Sequence, residues 1–296
     1  MTVKTKAKIL KQVDFISFTF PALIVVACVS LIPIMLNFYY SLFEWNGISR
    51  VMRFVGLRNF ITTLTDDTGF WNAALFNIRY TVFYVVFVNI LSLLIALFLS
   101  KTGLISSIAR SCYYVTFIVS LIVVSFVWRF LLSIGFDILH GITGLTFFSW
   151  SWLGTSRLVF WAIVFVTIWQ NVGFYMVIFI AGIMGIPKDL IEAAEIDGSQ
   201  GVNRFFRITI PLIMPSITIC IFASLTFAFK LFDIILVFTQ GGPGRATNTV
   251  VFNIYREAFI HFRYGMATAK SLIFLLVLLI IVVIQLKFFK SREVEA

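Results

Sequence analysis

Glu192-Ala193-Ala194-Glu195-Ile196-Asp197-Gly198, with the run that continues to Pro211, is the longest polar interruption between two strongly apolar segments of this chain. It reads as two short helices joined by a glycine turn. Pro187 suits a first helical position, Asp189 and Glu192 put negative charge in the opening turns, and Gly198 supplies a left-handed stop. Ser199 can cap a second helix running to about Arg207, and Pro211 opens the next apolar segment. Leu190, Ala193, Ala194 and Asp197 fall at helical spacing on one side, where small alanines allow another protein's surface to approach closely. The expected object is a compact knob tethered to a membrane; the alternative is an ordinary solvated loop.

The chain around this stretch is too apolar for a soluble domain. Of 296 residues, 60% are hydrophobic and 12% charged, with a mean hydropathy of +1.02, which points to a polytopic membrane protein. The net charge of +10 would suggest nucleic acid in a soluble protein, but topology explains it better. Spans are expected from the basic tail to Phe43, then over 75–100, 110–132, 159–184, 216–239 and 265–289. This makes an all-α fold of six transmembrane helices in one domain, 13–289, with the knob at 185–215 and polar tails at 1–12 and 290–296. Lys4, Lys6, Lys8, Lys11, Lys101, Arg110, Lys188, Arg204, Arg207, Lys287, Lys290 and Arg292 then fall on one side. Short loops rich in Lys and Arg stay cytoplasmic, so both termini and the knob are placed inside. Pro21 and Pro33 should bend the first span.

Chemistry is sparse. Cys28, Cys112 and Cys220 lie singly in apolar segments and fit buried small side chains rather than a disulfide or metal site. His140 and His261 have no partners at ligand spacing, and no hydrolytic triad or G-x-x-x-x-G-K-[ST] phosphate loop occurs. The chain is therefore expected to be a non-enzyme with no catalytic residue and no bound metal.

Glu192-Ala193-Ala194, three residues, Gly198, nine residues and Ile208-Thr209-Ile210-Pro211 resemble the EAA loop of ABC importer permeases, with Ile210 where the family carries Leu. Two further phrases resemble the carbohydrate class of that family: Val55-Gly56-Leu57-Arg58-Asn59-Phe60 before Trp71-Asn72-Ala73, and Thr239-Gln240-Gly241-Gly242-Pro243 before Tyr264-Gly265. By itself the glycine-rich run reads as a flexible outer turn. The resemblance implies a type I importer permease in a bacterial plasma membrane. It would pair with a second, similar permease, two ATPase subunits that bind ATP and Mg²⁺, and an extracytoplasmic sugar-binding protein. In that family the loop docks into the ATPase, which assigns Glu192, Ala193, Ala194, Asp197, Gly198 and Pro211 to coupling.

Thr167, Gln170, Asn171 and Phe174 stand at i, i+3, i+4 and i+7 of the fourth span, one stripe that should face the bundle interior. Interhelical hydrogen bonding and solute contact both account for it. The resemblance to maltose-type permeases implies solute contact at these four and at Ser224, Ala228 and Leu231, where Ala228 and Leu231 are apolar in place of polar groups. Lys230 and Asp233, three apart in the fifth span, are expected to neutralise each other or to meet the partner subunit or the solute. A phosphorylated solute such as glycerol phosphate fits the same architecture, yet the fourth-span stripe carries no Arg or Lys for it. An ion-coupled carrier would use an acid such as Asp233 but leaves the knob unexplained.

Overall fold

The computed structural model describes Ser17, Thr19–Lys101, Gly103–Ile196 and Gly198–Lys290; the tail at 1–12, Asp197 and the tail from 291 onward lie outside the described residues. Two compact units divide the chain. One comprises the described residues up to Asp67 with Ile254–Leu275, the other Thr68–Asn253 with the residues from Leu276 onward.

In the first unit, helix α1 (Thr19–Ser41) is apolar all round and none of its central window is buried, the property of a helix whose solvent is lipid. Pro33 removes one N–H from the ladder, and just before it the helix widens into a π-turn, Ala27–Leu31, with the Ile32 N–H reaching back to the Ala27 carbonyl. A two-stranded antiparallel hairpin follows, β1 (Phe43–Glu44) against β2 (Arg53–Phe54), with Phe43 opposite Phe54 and Glu44 opposite Arg53. Helix α2 (Arg58–Thr65) then points Asn59 back. Its amide donates to the carbonyls of Ser41 (2.8 Å), the last residue of α1, and of Phe43 (2.9 Å) in β1. The Val55–Phe60 phrase is thus a structural device: Gly56 takes φ +56° in the turn and Asn59 ties off α1.

Lys270 is the densest electrostatic feature of this unit. Its side chain is 1% exposed, and Nζ lies 2.6 Å from Asp67 Oδ2 and 2.6 Å from Glu257 Oε2, while Arg263 Nη1 stands 3.1 Å from Glu257 Oε1. A buried ammonium is tolerated only with such partners.

The second unit is built on long helices: α3 (Thr68–Leu99), α4 (Leu104–Ile118), α5 (Leu121–Thr143), α6 (Ser156–Met184), α7 (Lys188–Ile196), α8 (Gly201–Leu212) and α9 (Met214–Phe229). Helices α10 (Val250–Tyr255) and α11 (Tyr264–Lys290) contribute residues to both units. Helix α6 is the centre, with 67% of its apolar window buried, and it packs on α3, α4 and α9. Glycine permits the closest approach: a methyl at Gly173 would overlap the Tyr113 carbonyl. Hydroxyls cross the same contacts, Tyr80 to Thr167 (2.9 Å) and Ser92 to the Val172 carbonyl (3.0 Å). Arg79 stands 4.5 Å from the centroid of the Phe160 ring.

Among the described residues five helices are long and apolar enough to cross a membrane, and a sixth crossing exists if α8 and α9, bent by 72°, count together. Arg204 and Arg207 make α8 a poor membrane segment, so the sixth crossing consists of α9 and the residues after it. The all-α, six-crossing expectation stands, but the boundaries shift, most of all in the third and fifth crossings. The third crossing does not end near Leu132: it breaks at Val119–Ser120 and continues as α5 through a π-turn at Leu131–Gly135 to Gly144 (φ +67°). Gly135 and Gly141 are carried inside helix because the apolar pattern around them persists. The fifth is not one helix to Thr239; α9 stops at Phe229, and helix resumes at Asp233, passing into the π-turn Ile235–Thr239.

Replacing Lys270 with Met leaves the carboxylates of Asp67 and Glu257 facing each other without their shared cation. The expected loss is about 3–5 kcal/mol, read as a lowered unfolding temperature of the detergent-purified protein.

Candidate functional site

Three local structures carry the chemistry of the second unit: the knob between α6 and α9, the two helix breaks, and a cavity beside the second break.

Helix α7 closes as the sequence predicts. Gly198 has φ +77°, and the Ser199 N–H bonds to the Ala194 carbonyl at 2.8 Å, a glycine-dependent helix stop. The capping expectation for Ser199 does not hold: α8 begins at Gly201 with Gln200 at its N-cap, and the Ser199 hydroxyl is buried without a partner among the described residues. Pro211 lies in the last turn of α8 rather than opening the next crossing; the chain bends after it at Ile213. Glu192 and Ala193 are exposed, but Ala194 is turned inward, so the two alanines do not share one outward face. What the knob does present is Leu190, Ile196 (87% exposed), Val202 (73%) and Phe206 (64%). Apolar side chains on a charged loop outside the spans mark a protein contact. Sequence reading passed over the last three, although apolar residues inside a polar run were the available signal.

At the break in the third crossing the Val119 carbonyl has left its helix, and Gln170 donates to it at 2.8 Å. Thr116 bonds the Gln170 carbonyl at 3.1 Å, and Phe174 stacks on Phe117 with centroids 4.5 Å apart. Thr167 accepts from Tyr80, while the Asn171 amide donates to the Thr167 carbonyl at 2.8 Å. The four residues of the stripe do lie together, then, with Thr167, Gln170 and Asn171 buried and bonded within the helix packing. Ser224, which accepts from Asn89 at 2.9 Å, and Ala228 are likewise buried.

The second break is held from two directions. Asn77 of α3 reaches the carbonyls of Ala228 and Phe229 at 3.4 and 3.5 Å and accepts the Val250 N–H at 2.7 Å. Thr249 donates to the Leu231 carbonyl at 2.9 Å. The glycine-rich run is therefore not a free turn. Gly241 sits at φ +81°, Thr247 bonds the Gly242 carbonyl at 2.7 Å, and Thr247, Asn248 and Thr249 are all buried.

Beside this break lies a cavity of about 470 Å³ whose wall includes Leu121, Thr226, Phe227, Lys230, Phe232 and Asp233. Leu231, predicted from the resemblance, lines it too. Lys230 and Asp233 form no ion pair within 4.0 Å of each other among the described residues, because the helix that would have stacked them ends at Phe229. Lys230 is exposed and Asp233 half-buried. A second cavity, about 670 Å³, belongs to the first unit and is lined by Glu44, Trp45, Arg53, Arg58, Phe262 and Arg263 among others. Of the cysteines Cys220 is buried, while Cys28 and Cys112 are exposed on their helices, against expectation.

Comparison with known proteins places these features in context. The profile of the family described as "Binding-protein-dependent transport system inner membrane component" matches residues 88–293. A probable starch degradation products transport system permease protein of Thermoanaerobacterium thermosulfurigenes is 37% identical over 98% of this chain and 99% of its own length. The sn-glycerol-3-phosphate transport system permease protein of Shigella flexneri is 29% identical over 92% of each. A crystal structure of a bacterial ABC transporter involved in importing the acidic polysaccharide alginate superposes with a TM-score of 0.80 at 19% identity, covering 97% of this chain and 99% of that one.

Asn77→Leu removes the acceptor of the Val250 N–H and the amide that faces the end of α9. A loss of about 1–3 kcal/mol is expected for the stranded backbone groups, measured by thermal unfolding against a neutral change on the lipid face of α3.

Proposed function

The chain belongs to the family of binding-protein-dependent transport system inner membrane components, and from that premise we propose that it forms half of the membrane pore of an ATP-driven importer of carbohydrate, an oligosaccharide in particular. The observation that carries the proposal is the knob, two short helices with exposed apolar side chains set between two membrane crossings. A pore that worked alone would have no use for such a surface.

In this reading the knob docks on a separate ATPase, where ATP and Mg²⁺ are bound, since this sequence has no phosphate-binding loop. The knob and both termini are cytoplasmic, as the distribution of Lys and Arg favours. A second, similar permease completes the pore, and closure of the ATPase pair moves the knobs together and rocks the helices. The arginine-lined cavity of the first unit, bearing Arg53, Arg58 and Arg263 against Glu44, suits an acidic surface on an extracytoplasmic binding protein. Solute passes along the cavity beside Leu231; the other residues expected on the path, Thr167, Gln170, Asn171, Phe174, Ser224 and Ala228, do not line that cavity and hold the helices around the path in place. The starch-product relative supports carbohydrate over glycerol phosphate, being more similar than the glycerol-phosphate relative.

Glu192→Lys and Gly198→Asp test the coupling role. The second strains the helix stop, since Gly198 is at φ +77°, and sets a carboxylate on the knob where nothing lies within 4 Å of the added Cβ. Sugar uptake by cells should collapse with either variant while the protein is still inserted. Uptake driven by an ion gradient without ATP would overturn the reading. Ile196→Asp or Val202→Asp should cut the ATPase recovered with the purified permease by roughly tenfold, the effect of about 1.4 kcal/mol at an interface.

A further inference from the structure

Several cations stand on or beside membrane helices of this chain, and three of them have partners in the helix packing. Lys270 is enclosed by Asp67 and Glu257. Arg79 lies over the Phe160 ring. Arg129 donates to the Val237 carbonyl at 2.8 Å. Lys230 has a different setting: it follows the last residue of α9, and its wall-mates in the 470 Å³ cavity include one carboxylate, Asp233, one hydroxyl, Thr226, and the rings of Phe222, Phe227 and Phe232.

A lysine at membrane depth must face water or protein. The cavity is of a size that holds small organic ligands, and its chemistry is mixed in a particular way. Phenyl faces pack against the C–H faces of a pyranose ring, an ammonium donates up to three hydrogen bonds, and a carboxylate accepts several. The two charges are of opposite sign and cancel overall, so a largely apolar wall carries one strong donor and one strong acceptor without selecting a charged solute. The break in the fifth crossing is what permits this. In a continuous helix Lys230 and Asp233 would stand one turn apart and neutralise each other; here the non-helical Leu231 and Phe232 separate them.

We propose that Lys230 and Asp233 are the solute-contacting residues of the transport path, binding vicinal hydroxyls of a neutral saccharide against Phe227 and Phe232. The proposal rests on the reading of the chain as a carbohydrate permease and moves the polar contacts from the α6 stripe, whose groups serve helix packing, to the break in the fifth crossing.

The test uses the complete importer, with its partner permease, ATPases and binding protein, in proteoliposomes loaded with ATP. Maltotriose and other labelled maltodextrins serve as probes. The variants are Lys230→Met, Asp233→Asn and the exchange Lys230→Asp with Asp233→Lys. Each single variant is expected to assemble in full, judged by subunit ratios after purification. Sugar moved per ATP hydrolysed should fall roughly tenfold to a hundredfold, the worth of a charged hydrogen bond. The exchange should not restore it, because a hydroxyl pair bound in one register does not follow a swap of charges. Recovery in the exchange variant, loss of assembly in the singles, or an unchanged transport ratio would each overturn the assignment in favour of a structural role. If the singles behave like a wild type that imports sugar, only this assignment fails. If the wild type itself imports no carbohydrate, the functional reading fails, and this assignment with it.

Discussion

A backbone carbonyl that leaves its helix inside a membrane has no water to turn to, and this requirement organises the second unit. Two crossings break, at Val119–Ser120 and after Phe229, and each break needs donors from elsewhere in the chain. Gln170 serves the first. Asn77 and Thr249 serve the second, with Asn77 also accepting the Val250 N–H. Amide and hydroxyl side chains that are costly in hydrocarbon become useful here, since one Asn can close a helix end and anchor the following segment together.

The same break sets the electrostatics of the path. An unbroken fifth crossing would present a self-neutralised Lys–Asp pair on a helix face. The interruption instead lets both groups line a cavity with three phenylalanines. In the first unit the opposite solution is used. Lys270 is buried against two carboxylates, one of which also meets Arg263, and is thereby fixed as structure. Burial with full partnering makes a clamp; exposure at a break leaves a charge able to meet a ligand.

Much of the architecture was legible in the chain. Hydropathy located the crossings, and the Glu192–Gly198 stretch announced a helix and its stop, because a left-handed glycine and first-turn carboxylates act within a few residues of themselves. The fourth-span stripe was also correctly gathered, since helical periodicity alone brings Thr167, Gln170, Asn171 and Phe174 to one side. Its bonds were not legible. Gln170 finds the Val119 carbonyl 51 residues away, and Asn77 meets Val250 across 173. The third crossing was expected to stop at 132, yet Gly135 and Gly141 are helical, and the Gly241–Gly244 run suggested freedom where Thr247 and Thr249 tie the backbone down.

Sequence alone determined which segments enter the membrane, where the knob lies between them, and which polar groups would be in want of a partner there. Those properties follow from solvation and from hydrogen bonds a few residues long. Tertiary structure decided which partner each group found, that Ala194 turns inward while Ile196 and Val202 face out, and that Lys230 and Asp233 stay apart. Such outcomes depend on where one helix stops against another, and a helix end in a bilayer is stable only where a distant side chain arrives to receive it.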